Sequence, residues 1–382
     1  MSRHDFSIPA VHQHRIVFTH AAFASENREL ASLLQEGGGR RALVLVENHV
    51  AGAWPGLEER IGGYFSAMAV ELAGIHLLPG GETAKADDAI ARRIWELIAA
   101  AHLDRHSYLL AIGGGAFLDV AGYAAATAHR GVRLVRFPTT TLAQDDSGVG
   151  VKCAINAFGK KNWVGAFAVP FAVINDLDFL HTQPEETRRA GLIEAVKVAL
   201  VKDRAFFEWI EANLHALATL EKDALETCVE RSAMLHARHI AEGGDPFETG
   251  SSRPLDFGHW AAHKLESLTS YQLPHDRAVA VGLALDTLYA ARSGMLATGT
   301  ADRVLAVLRA LELAHYHPAL DQRDASGRRL VLDGLDEFRE HLGGELTVLM
   351  PRDIGRCEDI HHIDAEILGC CIDELREMAG DE

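Results

Sequence analysis

The sequence predicts an α/β protein in two domains, a Rossmann-like parallel-sheet domain over 1–177 and an all-helical domain over 178–382. Three observations carry this reading. Strand and helix patterns alternate through the first half, the patterns from about Pro184 onward are mostly helical, and 382 residues suit two cores better than one. Alternation of strand and helix implies a parallel sheet covered by helices.

Arg41-Ala-Leu-Val-Leu-Val46 is the first β-rich run. Ile75-His-Leu-Leu78 is the next, stopped by Pro79-Gly-Gly, and Ala86 to Leu103 has helical periodicity. Tyr108-Leu-Leu-Ala-Ile112 reads as a buried strand running into three glycines, and Leu134-Val-Arg-Phe137 as a strand stopped by Pro138. The second half offers helices over Thr187 to Lys202, Ala205 to Leu217, Leu225 to Ala241 and Ala278 to Ser293. The linker is expected near Asn175-Asp-Leu-Asp178, and a ligand in the cleft between the halves.

Nearly half the residues are apolar and the charged fraction is ordinary, as in a soluble globular protein. A formal net charge of −17 argues against a nucleic-acid partner, although a local basic pocket for an anionic substrate remains compatible with it. The five cysteines show no CxxC spacing, which fits a reducing, cytoplasmic setting. The N-terminus lacks the apolar core of a signal peptide, and the longest apolar stretch, Tyr108 to Ala126, is interrupted by glycines and Asp119, so no membrane association is expected.

Ala111-Ile-Gly-Gly-Gly-Ala-Phe-Leu-Asp119 is a strand, a glycine turn and a helix start. Glycines let a backbone approach a pyrophosphate, and a helix N-terminus favours its charge. The pattern is not GxGxxG, and a plain tight turn explains it equally well. Glu47, just past the strand Ala42 to Val46, stands where an acid accepts from ribose hydroxyls, or is simply a solvated loop acid.

Glu194 and Lys197 share one helix face among aliphatic residues, as a buried ion pair or as part of a site. His259 and His263 share another face, and His275 follows Pro274 at a helix start. One carboxylate with two imidazoles suits a catalytic Zn2+ that keeps open positions. The stretch Pro138 to Lys152, followed by Phe158-Gly-Lys-Lys-Asn162, mixes hydroxyls, carboxylates, glycines and lysines, as a phosphate or polyhydroxylated ligand requires; a polar surface loop is the alternative.

Together and in this order, these segments resemble the sugar phosphate cyclases, the superfamily of 3-dehydroquinate synthase, from about Leu43 to Pro351. Asp146-Ser-Gly-Val-Gly-Val-Lys152 with Lys161-Asn162 resembles the family's DSSVGGK…KN. Glu194-Ala-Val-Lys197 resembles its E-x-x-K, and Leu255-Asp-Phe-Gly-His259 with His263 and His275 resembles its LNFGH…H…H. The resemblance implies a dehydroquinate synthase-like fold with a metal-binding helical domain. It places Glu194, His259 and His275 as ligands of Zn2+, with Co2+ as an alternative. Gly114, Gly115, Asp119, Glu82, Lys85, Thr139, Thr140 and Lys161 fall in an NAD site. Asp146, Lys152, Asn162, Lys197 and His263 match substrate positions, and Arg130 matches an arginine sent into the partner's active site of a homodimer. The implied chemistry is a lyase reaction on a sugar phosphate: oxidation, phosphate elimination, re-reduction and intramolecular aldol closure, with NAD regenerated.

Some positions depart from dehydroquinate synthase. Asp256 replaces an asparagine, His236 stands for a lysine, Ser252 beside Arg253 for an arginine, and Glu337-Phe-Arg-Glu-His-Leu-Gly-Gly344 for a DKK segment. In that enzyme these groups surround a substrate carboxylate, which is costly to bury unpaired. The pattern looks more like the C7-cyclitol branch typified by 2-epi-5-epi-valiolone synthase, which uses sedoheptulose 7-phosphate. His263, and Gln144-Asp145 in place of an apolar pair, do not follow that branch. 3-Dehydroquinate synthase itself, a metal-dependent polyol dehydrogenase and a non-catalytic sugar phosphate binder are the alternatives.

Overall fold

The computed structural model describes residues 2–6, 8, 11–158, 160–243, 247, 254–341 and 344–380. The chain forms two compact units, Met1–Thr139 with Gly150–Thr182, and Thr140–Val149 with Gln183–Glu382.

The first unit is built on strands β1 (Ile16–Thr19), β2 (Arg41–Glu47), β3 (Glu71–Leu78), β4 (Tyr108–Gly113), β5 (Arg133–Pro138), β6 (Lys152–Ala157), β7 (Lys160–Phe167) and β8 (Ala172–Asp176). Six of them form a parallel sheet in the order β1-β8-β5-β4-β2-β3. Residues 42–46 and 108–112 are all 0% exposed. Such unbroken apolar runs arise where helices cover both sheet faces. Val44, Val46, Leu110 and Ile112 pack with Leu30 and Leu34 of helix Glu29–Gly37 and with Ile61 and Phe65 of helix Leu57–Ser66. Helix Gly115–Thr127 packs on β4 and on helix Ala89–Ala100. β6 and β7 stand apart as an antiparallel hairpin.

Asn175-Asp-Leu-Asp178 is not a linker. Asn175 and Asp176 end the buried strand β8, and Asp176 accepts from the amides of Ala22 at 2.7 Å and Asp178 at 3.1 Å. Polar residues at a strand end read as a loop when their backbone partners lie far away in sequence. The division falls at Thr182/Gln183 rather than 177/178, and 140–149 goes with the helical unit.

In the second unit, Leu192–Lys202 and His275–Arg292 are nearly buried throughout, in keeping with the apolar residues that fill most of their positions. The helix expected over Thr187 to Lys202 breaks at Gly191 into Glu185–Ala190 and Leu192–Lys202. Among the described residues the strands of this unit form one antiparallel hairpin, β9 (Val348–Asp353) with β10 (Arg356–Ile360), beside an isolated bridge between Arg323 and Arg329. Among the described residues no helix is long and apolar enough to cross a membrane.

Candidate active site

Glu194 projects from helix Leu192–Lys202, while His259 and His275 each open a helix. One donor atom from each of the three lies within 4.8 Å of the others. The His263 ring joins them, its centroid 5.5 Å from that of His259 and 6.0 Å from that of His275. Glu194 is 1% exposed and ion-pairs with Lys197, yet neither of its oxygens completes an aligned hydrogen bond among the described residues. A buried carboxylate with open lone pairs beside two imidazoles fits a divalent cation. His259 Nδ1 lies 3.1 Å from the Phe257 carbonyl; donating there leaves Nε2 as the ligand atom. Burial, Lys197 and the neighbouring imidazoles hold His259 well below the usual histidine value, in the neutral form that ligates.

Glu266 was not singled out by the sequence reading. It is 2% exposed, and its Oε1 lies 3.3 Å from His275 Nδ1, an arrangement that orients a ligating ring. Its position three residues after His263, on the same helix face, was the available signal.

A π-helical turn, Ala143–Ser147, sets two adjacent carboxyls in opposite states. Burial would raise Asp146, but His236, whose Nδ1 is 2.7 Å from Asp146 Oδ1, and Lys197 outweigh it and keep Asp146 well below the usual carboxylate range. Burial also opposes the Lys197 charge, but Glu194 and Asp146 prevail and raise it above the ordinary lysine value. Asp145 is 0% exposed, and burial, with Asp146 and Glu194 nearby, pushes it well up. Both Asp145 oxygens lack hydrogen-bond partners among the described residues.

Asp145→Leu is therefore expected to stabilise the fold by about 1–3 kcal/mol, the usual cost of an unsatisfied buried group. The folded pKa lies above the unfolded one, so Asp145 costs stability once pH exceeds the unfolded value of about 4. The gain should accordingly be largest near neutrality and vanish in acid. Thermal melts against pH check this.

The sheet unit holds the residues assigned to NAD except Thr140, which belongs to the helical unit. Glu47 is 7% exposed and its Oε2 accepts the Gly114 amide at 2.8 Å. A Cβ on Gly113 would sit 2.8 Å from that oxygen, and one on Gly80 would sit 2.0 Å from Oε1, so glycines surround this carboxylate. The sequence offers Glu47 to ribose hydroxyls; the structure engages one of its oxygens in the glycine turn itself. Lys85 is 3% exposed and binds both the Asp119 carboxylate and Asn162 Oδ1. Lys161 Nζ is 3.6 Å from Glu82. The Thr139 amide donates to the Gly113 carbonyl at 3.1 Å, and Thr140 Oγ1 accepts from the Ala143 amide at 3.2 Å. Buried Arg136 donates to the carbonyls of Gly150 at 2.6 Å and Lys152 at 3.3 Å, fixing the backbone from which the exposed Lys152 side chain projects. Arg130 is exposed on a turn where His129 and Arg130 both take positive φ, 50° and 63°.

Of the departures, Asp256 closes the short turn Pro254–Asp256, and Arg339 pairs with Asp336 at 2.9 Å on helix Asp333–His341. Glu337 pairs with Lys264 at 2.6 Å. Ser252, Arg253, Leu342 and Gly343 lie outside the described residues.

The 3-dehydroquinate synthase N-terminal family model matches residues 75–190, and the C-terminal model matches 191–328. The chain belongs to the 3-dehydroquinate synthase family. Within this family it is 36% identical over 269 residues to a 3-dehydroquinate synthase of Pelotomaculum thermopropionicum, covering 70% of this chain and 71% of that one. It is 33% identical over 352 residues to a 2-epi-valiolone synthase of Actinosynnema mirum, covering 92% and 90%. Its structure is similar to that of 2-epi-5-epi-valiolone synthase from Streptomyces hygroscopicus subsp. jinggangensis, solved with NAD+ and Zn2+ bound, with a TM-score of 0.87, 26% identity and coverage of 98% and 99%. As a 3-dehydroquinate synthase family member, the chain is a sugar phosphate cyclase of that superfamily.

Proposed function

We propose that this chain is an NAD- and zinc-dependent lyase that cyclises sedoheptulose 7-phosphate, or a similar ketose phosphate, to a C7 cyclitol. The observation that carries the reading is the convergence of Glu194, His259 and His275 within 4.8 Å. Likeness to a 2-epi-valiolone synthase over 92% of the chain supports the substrate class.

Bound at these three residues, Zn2+ or Co2+ supplies a Lewis acid for a substrate oxygen, and NAD held by the glycine turn, Lys85 and Asp119 supplies reversible hydride transfer. Lys152, Lys197 and His263 neutralise and orient the phosphate that leaves. Asn162, held by Lys85, and Asp146, held by His236, fix substrate hydroxyls. Arg130 completes the site of a partner subunit in a homodimer. Where 3-dehydroquinate synthase gathers cations for a substrate carboxylate, this chain carries Asp256, His236 paired with Asp146, and Arg339 paired with Asp336. That set favours a substrate without a carboxylate.

A panel of sugar phosphates assayed for phosphate release with NAD+ and Zn2+ tests the reading. Turnover of sedoheptulose 7-phosphate is expected; silence on every ketose phosphate and on the dehydroquinate precursor would defeat the cyclase assignment. The second reading, 3-dehydroquinate synthase itself, is favoured by His263 and by 36% identity to such an enzyme. It requires turnover of the C7 acid phosphate and rescue of an aromatic auxotroph.

A further inference from the structure

Asp286 is the one acidic residue within the apolar run from Ala278 to Ala290, and it is 0% exposed. Its Oδ2 accepts the Gly258 amide at 3.1 Å, and its Oδ1 accepts the Trp260 indole Nε1 at 2.9 Å. Those two donors flank His259 in the chain. The carboxylate that binds them comes from the helix whose first residue is His275. The two backbones also meet closely. A Cβ on Gly282 would lie 2.1 Å from the Gly258 carbonyl oxygen, and a Cβ on Gly258 would lie 2.7 Å from the Leu283 amide nitrogen. Gly258 adopts a φ of 78°, in the left-handed region that favours glycine. The carbonyl that His259 Nδ1 faces, that of Phe257, belongs to the same turn.

We infer that Asp286 is a positioning residue of the metal centre, clamping the Phe257–Trp260 turn to helix His275–Arg292 so that His259 and His275 keep a fixed separation and ring orientation. The inference rests on the metal reading of Glu194, His259 and His275. A carboxylate is a costly way to join a tryptophan to a helix, because an apolar pair of similar volume packs without the desolvation penalty. Two directional bonds to donors on either side of His259 achieve what apolar contact does not: they fix the rotation of the turn, and with it the direction of the imidazole. Groups that orient a ligand in this way are typically worth 10–100-fold in metal affinity.

The test compares Asp286→Asn, Asp286→Leu and Trp260→Phe with the parent protein and with Glu194→Gln. Zn2+ affinity is read by competition with a chromogenic chelator, the absorption spectrum of the Co2+-loaded protein is recorded, and thermal melts report folding. The Asp286 variants are expected to bind Zn2+ about 10–100-fold more weakly and to show an altered Co2+ spectrum. Trp260→Phe, which removes a single bond and keeps an aromatic ring, should move both readouts in the same direction by less, and it decides the matter if the Asp286 variants do not fold. Folded variants with parental Zn2+ affinity and an unchanged Co2+ spectrum, whatever their melting temperature, would overturn the inference and leave Asp286 a purely structural residue. A parent protein that binds neither ion, or a Glu194→Gln variant that binds as the parent does, overturns the metal reading instead and the inference with it.

Discussion

Glu194→Gln is expected to release the metal and abolish turnover. The substitution keeps the shape of a side chain that is 1% exposed and removes only its charge. The carboxylate is the one anionic ligand of the three, so its neutralisation should weaken Zn2+ binding by more than the roughly 10–100-fold that an outer-shell partner is worth. Lys197, 2% exposed, loses its ion-pair partner and keeps the charges of Asp146 and Asp256. Breaking a buried pair from one side costs about 3–5 kcal/mol, and the remaining charges of Asp146 and Asp256 should hold the loss below that. Metal content by emission spectroscopy and phosphate release on the same preparation check both parts. Full metal occupancy in the variant would show that Glu194 serves only the ion pair.

Lys85→Met is expected to disable the cofactor site while leaving the metal in place. Lys85 is 3% exposed and joins Asp119, on the helix that follows the glycine turn, to Asn162 near the start of β7. Methionine fills the space but leaves the Asp119 carboxylate without its cation. Asp119 is 23% exposed, so the stability loss should fall near the lower end of the range for breaking buried pairs, about 3 kcal/mol. NAD+ affinity should fall at least about tenfold, equivalent to 1.4 kcal/mol, because one lysine holds residues from two other segments. Isothermal titration with NAD+ and a zinc assay distinguish this from general unfolding, which would remove both ligands.

These side chains differ in how far sequence alone reveals them. β2 and β4 are legible because burial on both sheet faces leaves continuous aliphatic runs. β8 is not, because it ends in Asn175 and Asp176, and the Asp176 carboxylate takes the amide of Ala22, remote in sequence. The start of β7, Lys160-Lys-Asn162, is not legible either, because polar residues that open a strand read as a polar loop. The proposed metal ligands show through helical spacing and a proline-marked helix start. Glu266 and Asp286 act through contacts nine and twenty-six to twenty-eight residues away, which periodicity does not report. Asp286 did leave one trace, the one acid within the run from Ala278 to Ala290. Similarly, 140–149 follows the sheet in sequence yet packs with the helical unit, an exchange that a linear boundary cannot express.

The central claim is that the enzyme uses NAD as a recycled hydride carrier in a phosphate-eliminating cyclisation. The most direct measurement is phosphate released from sedoheptulose 7-phosphate by zinc-loaded protein with NAD+ far below the substrate concentration, followed together with absorbance at the NADH band. Many phosphates per NAD+ and no accumulating NADH are the predicted result. NADH formed one for one with consumed substrate, without phosphate, would contradict the account and identify a dehydrogenase on this fold.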